Sequence, residues 1–140
     1  MKCFYTNNTV LLKKKFIMTS LNSYFKRVNF IRQFPVFSQL SWLEQHRIAL
    51  LSEVCEFRKG DIIRAQGEPP DALYCLISGR VQAFLVDESG GRIHADFFRR
   101  GMYFGIISLL TGQPHSLTFE AINDSVILRI QKDRFHEVLK

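Results

Sequence analysis

Between Gly101 and Ala121 the chain reads Gly-Met-Tyr-Phe-Gly-Ile-Ile-Ser-Leu-Leu-Thr-Gly-Gln-Pro-His-Ser-Leu-Thr-Phe-Glu-Ala, and the chemistry this run offers belongs mainly to its backbone. Unpaired N–H groups at the start of a short helix suit an anion, and a glycine there, Gly105, lets the main chain approach it closely. The residues placed at this candidate site are Phe104, Gly105, Ile106, Ile107, Ser108, His115, Ser116 and Leu117. Only His115 among them can carry positive charge. An imidazole changes charge between pH 5 and 8, so any cationic help it gives an anion depends on pH.

Other chemistries find little support. A metal centre of the cupin kind needs two closely spaced histidines and a glutamate, whereas His94-Ala95-Asp96 supplies one histidine and one acid. Strand alternation puts His94 and Asp96 on one face, as a surface ion pair also would. There is no Gly-x-Ser-x-Gly nucleophile elbow and no Walker-type Gly-Lys-Ser/Thr loop. His46 and His136 read as surface residues on helices. The three cysteines, Cys3, Cys55 and Cys75, form neither an even set nor a Cys-x-x-Cys pair, so Cys55 and Cys75 are expected as buried thiols in strands. The chain is expected to be non-enzymatic.

Short β-prone runs separated by glycine and acidic turns must carry this site, in the pattern of an all-β barrel or jelly roll. Strands are expected over Cys55 to Arg58, Ile62 to Ala65, Ala72 to Ser78, Val81 to Val86, Arg92 to Phe98, Thr118 to Ala121 and Ser125 to Ile130. Gly79-Arg80, Asp87 to Gly91 and Asn123-Asp124 supply turns between them. Helices flank the roll. Leu21, Tyr24, Phe25, Val28 and Ile31 form one stripe, with Lys26, Arg27 and Arg32 largely off it, and this helix ends near Phe34-Pro35. Ser41 with Glu44 spells a capping box for a second helix, whose apolar positions are Leu43, Ile48, Leu50, Leu51 and Val54. Lys132 to Lys140 begin a last helix.

Lys59-Gly60-Asp61-Ile62-Ile63, Gln66-Gly67-Glu68, Leu73 to Val81 and Gly101 stand at spacings that resemble the cyclic-nucleotide-binding domain family, over roughly residues 34 to 140. The resemblance implies a β-roll carrying a phosphate-binding cassette of the form Phe-Gly-Glu-Leu-Ala-Leu-Leu, a linker, then Pro-Arg-Ser-Ala. The chain keeps Phe104, Gly105, Leu109, Leu110, Pro114 and Ser116, but has Ile106 for the glutamate, His115 for the arginine and Leu117 for the alanine. In the family the arginine grips the cyclic phosphate and the glutamate accepts from the ribose 2′-hydroxyl. A hydroxyl buried against Ile106 loses roughly 1–3 kcal/mol, and a lost charge partner commonly costs about 2–5 kcal/mol. Binding of cyclic AMP or cyclic GMP in the usual pose is therefore expected to be weakened or lost. Three readings stay open: a pocket closed by Ile106, Ile107, Leu109, Leu110 and Leu117 with His115 as an ordinary loop residue, a different small anionic ligand, or weakened cyclic-nucleotide binding.

The resemblance also implies that the last helix lids the ligand and passes the signal to an effector domain or a dimer mate. A regulatory ligand sensor is thus one expectation; a ligand-free interaction scaffold, or a regulatory fragment of a transcription regulator or patatin-like phospholipase, is the other. Leu109 to Pro114 and Arg129 to Phe135 look similar to segments of patatin-like lysophospholipases. A transcription regulator of this type needs a helix-turn-helix after the last helix.

The chain's 140 residues suit one domain, organised as a basic leader over 1–20, helices over 21–54, a roll over 55–131 and the start of a helix over 132–140. No apolar stretch reaches the ~20 residues that span a bilayer, and the cytoplasm is the expected location. Charge is uneven. Residues 1–43 hold seven basic residues and no acid, leaving the remainder close to neutral. With Phe4, Tyr5, Phe16, Tyr24, Phe25 and Phe30 interleaved, this arm could touch an anionic membrane or a nucleic acid, though a charged helical face needs no partner. Met18 followed by Thr19 and Ser20 leaves open a leader upstream of the fold.

Overall fold

The structure, a computed structural model, describes residues 2–4 and 24–138. Strand β1 (Lys2–Phe4) is followed by helix α1, described over 24–33, then α2 (Pro35–Ser38) and α3 (Trp42–Leu51). The roll comprises β2 (Ser52–Phe57), β3 (Ile62–Arg64), β4 (Ala72–Ser78), β5 (Val81–Val86), β6 (Arg92–Phe98), β7 (Tyr103–Phe104), β8 (Thr118–Ala121) and β9 (Ser125–Gln131), with α4 (Ile106–Thr111) inserted after β7 and α5 (Lys132–Val138) last. One sheet has the order β1-β2-β9-β4-β7 and the other β3-β8-β5-β6, and every pairing is antiparallel. This is the mainly-β roll with flanking helices that the turn spacing implies.

Strand β4 explains how the layers hold together. Six of its seven residues are buried, and successive side chains point to opposite faces. Leu73, Cys75 and Ile77 face a cluster with Val28, Ile31, Phe34, Phe37, Ile48 and Phe135 from the helices. Ala72, Tyr74 and Leu76 face the roll interior with Phe57, Val81, Phe104, Phe119 and Ile127. Burial pushes the Cys75 thiol well above its ordinary pKa, which keeps it protonated and inert. The turn into β5 needs glycine: Gly79 has φ 94°, and a Cβ there would stand 2.6 Å from the Asp124 carbonyl oxygen.

The helices depart from the sequence stripes in instructive ways. On α1, Phe25 is 64% exposed while Arg27 is buried, its Nη1 donating to the Ser52 carbonyl at 3.0 Å. Its long aliphatic stem packs like an apolar residue while the head finds a backbone acceptor. Helix α1 stops before Phe34, whose extended φ and ψ of −85° and 123° fit a residue preceding proline. On α3, Ile48, Ala49 and Gln45 face the core, whereas Leu43 and Leu50 are exposed. That helix ends at Leu51, and Val54 lies in β2. Cys55 is disulfide-bonded rather than a buried thiol. The β1–β2 backbone register sets Cys3 opposite Cys55, a proximity that spacing along the chain does not reveal.

Candidate ligand-binding site

Short strand β7 carries the chain past β4, with Tyr74 opposite Phe104 and Cys75 opposite Tyr103. At Gly105 the backbone turns left-handed (φ 88°), and a Cβ added there would lie 3.0 Å from the Ala72 carbonyl oxygen. Only glycine makes this turn without strain. Helix α4 follows and ends at Gly112, also left-handed, whose N–H donates to the Ser108 carbonyl at 2.9 Å. The loop back to β8 is clamped: His115 N–H donates to the Glu68 carbonyl at 2.9 Å, and Gly67 N–H to the His115 carbonyl at 2.8 Å.

These turns enclose a cavity of about 270 Å³. All eight residues placed at the site from the sequence line it, joined by Asp96 and Phe98 from β6, Tyr103 from β7 and Phe119 from β8. The cassette helix does not fill it in the manner of a closed core. Leu109 is buried, but Ile107 is 75% and Leu110 64% exposed. A six-residue helix packed along one side has a single inner face, here carrying Leu109, and these two residues fall outside it. Ile106 packs against the helical layer and Leu117 against the roll interior.

His115 is not an ordinary loop residue. It is 3% exposed, its Nδ1 lies 3.3 Å from Ser108 Oγ, and its ring stands edge-on to Phe119 with centroids 5.9 Å apart. Its Nε2 lies 4.0 Å from Asp71 Oδ1, an ion-pair distance without hydrogen-bond contact. Asp71 is the hub of a network below the cassette. It accepts from Tyr74 Oη at 2.8 Å and from Arg129 Nη2 at 3.0 Å, and Arg64 Nε lies 3.3 Å from its second oxygen. Partial burial works against ionisation of Asp71, but His115, Tyr74, Arg129 and the Arg64 charge outweigh it and hold the carboxyl well below the usual carboxylate range. Burial, then the neighbouring Asp71 charge, pushes the Tyr74 phenol above its ordinary range. Arg129 also donates to Glu53 Oε2 at 3.0 Å, and Gln131 Nε2 to Glu53 Oε1 at 2.8 Å. The network ties β2, β4 and β9 together beneath the cavity.

The sequence reading missed Asp71 and the cavity-lining Asp96. Alternation with Phe98 along β6 was the available signal for Asp96, but it was masked by the apparent pair with His94. No His94–Asp96 ion pair forms among the described residues; His94 packs on Phe97 at 4.0 Å between ring centroids. A register shift between Ala83 and Phe84 sets Asp96 opposite Ala83 and His94 opposite Phe84. Among the described residues no group of three or more His, Cys, Asp or Glu could hold a metal ion, and no helix is long and apolar enough to cross a membrane.

Comparison with known proteins places this geometry. The family model of the cyclic nucleotide-binding domain matches residues 54–140. The chain is 31% identical over 110 residues to the cAMP-dependent protein kinase regulatory subunit of Aspergillus niger, covering 79% of this chain and 26% of that protein. It thus spans about a quarter of the length of the curated relatives it matches. The regulatory domain of Toxoplasma gondii protein kinase A, solved with cAMP, superposes with a TM-score of 0.82 at 18% identity, over 87% of this chain and 47% of that one. The regulatory subunit of a cAMP-independent protein kinase A from Trypanosoma cruzi, bound to guanosine, superposes with a TM-score of 0.78 at 21% identity, over 86% and 43%.

Proposed function

Because the chain belongs to the cyclic nucleotide-binding domain family, we propose that it is a regulatory ligand-sensing module in which the usual binding of cyclic AMP or cyclic GMP is weakened. The observation that carries this reading is the cavity: Phe104, Gly105 and Ser116 keep their places around an open space of about 270 Å³, while the groups that would recognise a cyclic phosphate are missing from its wall. Ile106 offers no acceptor to a ribose hydroxyl, and His115 is folded into the wall beside Ser108. Losing a charge partner of this kind costs about 2–5 kcal/mol, which is roughly thirty- to several-thousandfold in affinity. The relatives named as cAMP-dependent regulatory subunits support a regulatory role, and the guanosine bound to the Trypanosoma cruzi cAMP-independent subunit, which shares the fold, is in keeping with a ligand site of nucleoside size. In this reading the module is cytoplasmic, and occupancy shifts α4 and α5 to act on an effector domain or a second copy.

The packing of Ile106 and Leu117 against the two core clusters favours a second reading, a ligand-free interaction scaffold. Calorimetric titration separates the two. The sensor reading expects saturable but weak binding of cyclic AMP or cyclic GMP, strengthened at least about tenfold when Ile106→Glu and His115→Arg are combined. Silence toward both nucleotides in the parent and the double variant, with the fold intact by circular dichroism, removes cyclic-nucleotide sensing, and silence toward uncharged nucleosides as well supports the scaffold.

A further inference from the structure

The cavity has an electrostatic character opposite to that of a phosphate site. Asp96 is the one formally charged side chain apart from the titratable His115 among those lining it. The two guanidinium groups beside Asp71 are already engaged: Arg64 with Glu68 at 3.2 Å and Asp71 at 3.3 Å, and Arg129 with Glu53 and Asp71 at 3.0 Å each. The His115 ring is held inside the wall. Among the lining residues a phosphodiester entering this space meets a carboxylate and no guanidinium or ammonium group, and a cleft with mostly apolar walls strengthens the repulsion.

The same carboxylate suits a different guest. An ionised aspartate is an acceptor only, with more lone pairs than one partner uses. Asp96 Oδ1 accepts from the Phe97 N–H at 2.8 Å, which fixes the side chain and leaves acceptor capacity over. Vicinal sugar hydroxyls are donors of the matching kind. Phe98, half-buried, offers aromatic surface backed by Phe104 and Phe119, which stack at 4.6 Å, and half-buried Tyr103 also lines the space. Flat bases stack on such rings. The volume of about 270 Å³ falls just below the roughly 300–1,000 Å³ of drug-sized ligand pockets, which favours a guest no larger than one base with its sugar.

We propose that the cleft takes an uncharged nucleoside in preference to its cyclic monophosphate, with Asp96 accepting hydrogen bonds from the sugar hydroxyls. This rests on the reading of the cleft as a ligand site. The test is titration of the full chain with adenosine, guanosine and their 3′,5′-cyclic monophosphates. A nucleoside binds at least about tenfold more tightly than its cyclic monophosphate, and loses at least about tenfold when its 2′- and 3′-hydroxyls are removed. Its affinity changes little between about 50 and 200 mM salt, as expected for a ligand that makes no phosphate contacts. Asp96→Asn, at an exposed position with no core packing, weakens the nucleoside and narrows its advantage. Preference for the cyclic monophosphates, or an advantage that Asp96→Asn leaves unchanged, overturns the inference while the sensor reading stands. Failure of both ligand classes to bind at millimolar concentration overturns both.

Discussion

Asp71 concentrates the site's electrostatics in one residue. Its carboxyl is held ionised in the folded protein below the range it has when unfolded, where it titrates near about pH 3.9. The unfolded chain therefore takes up the proton first as pH falls. The stabilisation is fully present above about pH 4–5 and is lost progressively toward the depressed folded value. Replacing one partner of a buried ion pair costs about 3–5 kcal/mol. A quarter of the Asp71 side chain still meets solvent, so screening reduces the expected loss in Asp71→Asn to about 2 kcal/mol near neutral pH. Urea unfolding at a series of pH values checks this: the gap between parent and variant shrinks as pH drops from about 5 to about 2. A gap independent of pH would mean that shape, not charge, holds this residue in place.

Helix α3 shows at the element scale what a sequence can and cannot disclose. Its start is written locally: Glu44 N–H donates to Ser41 Oγ at 3.2 Å, and Ser41 N–H to Glu44 Oε2 at 2.9 Å. Ser41→Ala removes this cap at an exposed position without opening a cavity, so its cost is about 1 kcal/mol, read as a melting temperature lower by roughly 2–4 °C. The helix end was not legible, because Leu50, Leu51 and Val54 prolong an apolar pattern and no glycine or proline marks where β2 begins. Strands β4, β5 and β6 match their sequence bounds because Gly79 and the Asp87 to Gly91 tip punctuate them sharply. The site divides in the same way. Its eight cassette residues lie within one contiguous run and could be read from it, whereas Asp96 and Asp71 arrive from β6 and the segment before β4, which only the folded sheets bring near.

At the scale of the molecule, β4 makes the helical layer and the roll one cooperative unit. Leu73 serves the first cluster and Leu76 the second, and both are fully buried. Leu73→Ala and Leu76→Ala should each cost about 2–5 kcal/mol. Each should still unfold in one transition, with fluorescence of the single tryptophan, Trp42 on α3, coinciding with circular dichroism of the sheets. Separate transitions would show that the layers melt independently. The cassette straddles the same divide: Phe104 is rooted in the roll, Leu109 in the helical layer, and Gly105 begins the short bend between them. On the proposed sensor reading that bend would serve as a fulcrum: a guest pressing on α4 would bear on both halves at once, and a listener docked on either flank need never touch the mouth of the cleft.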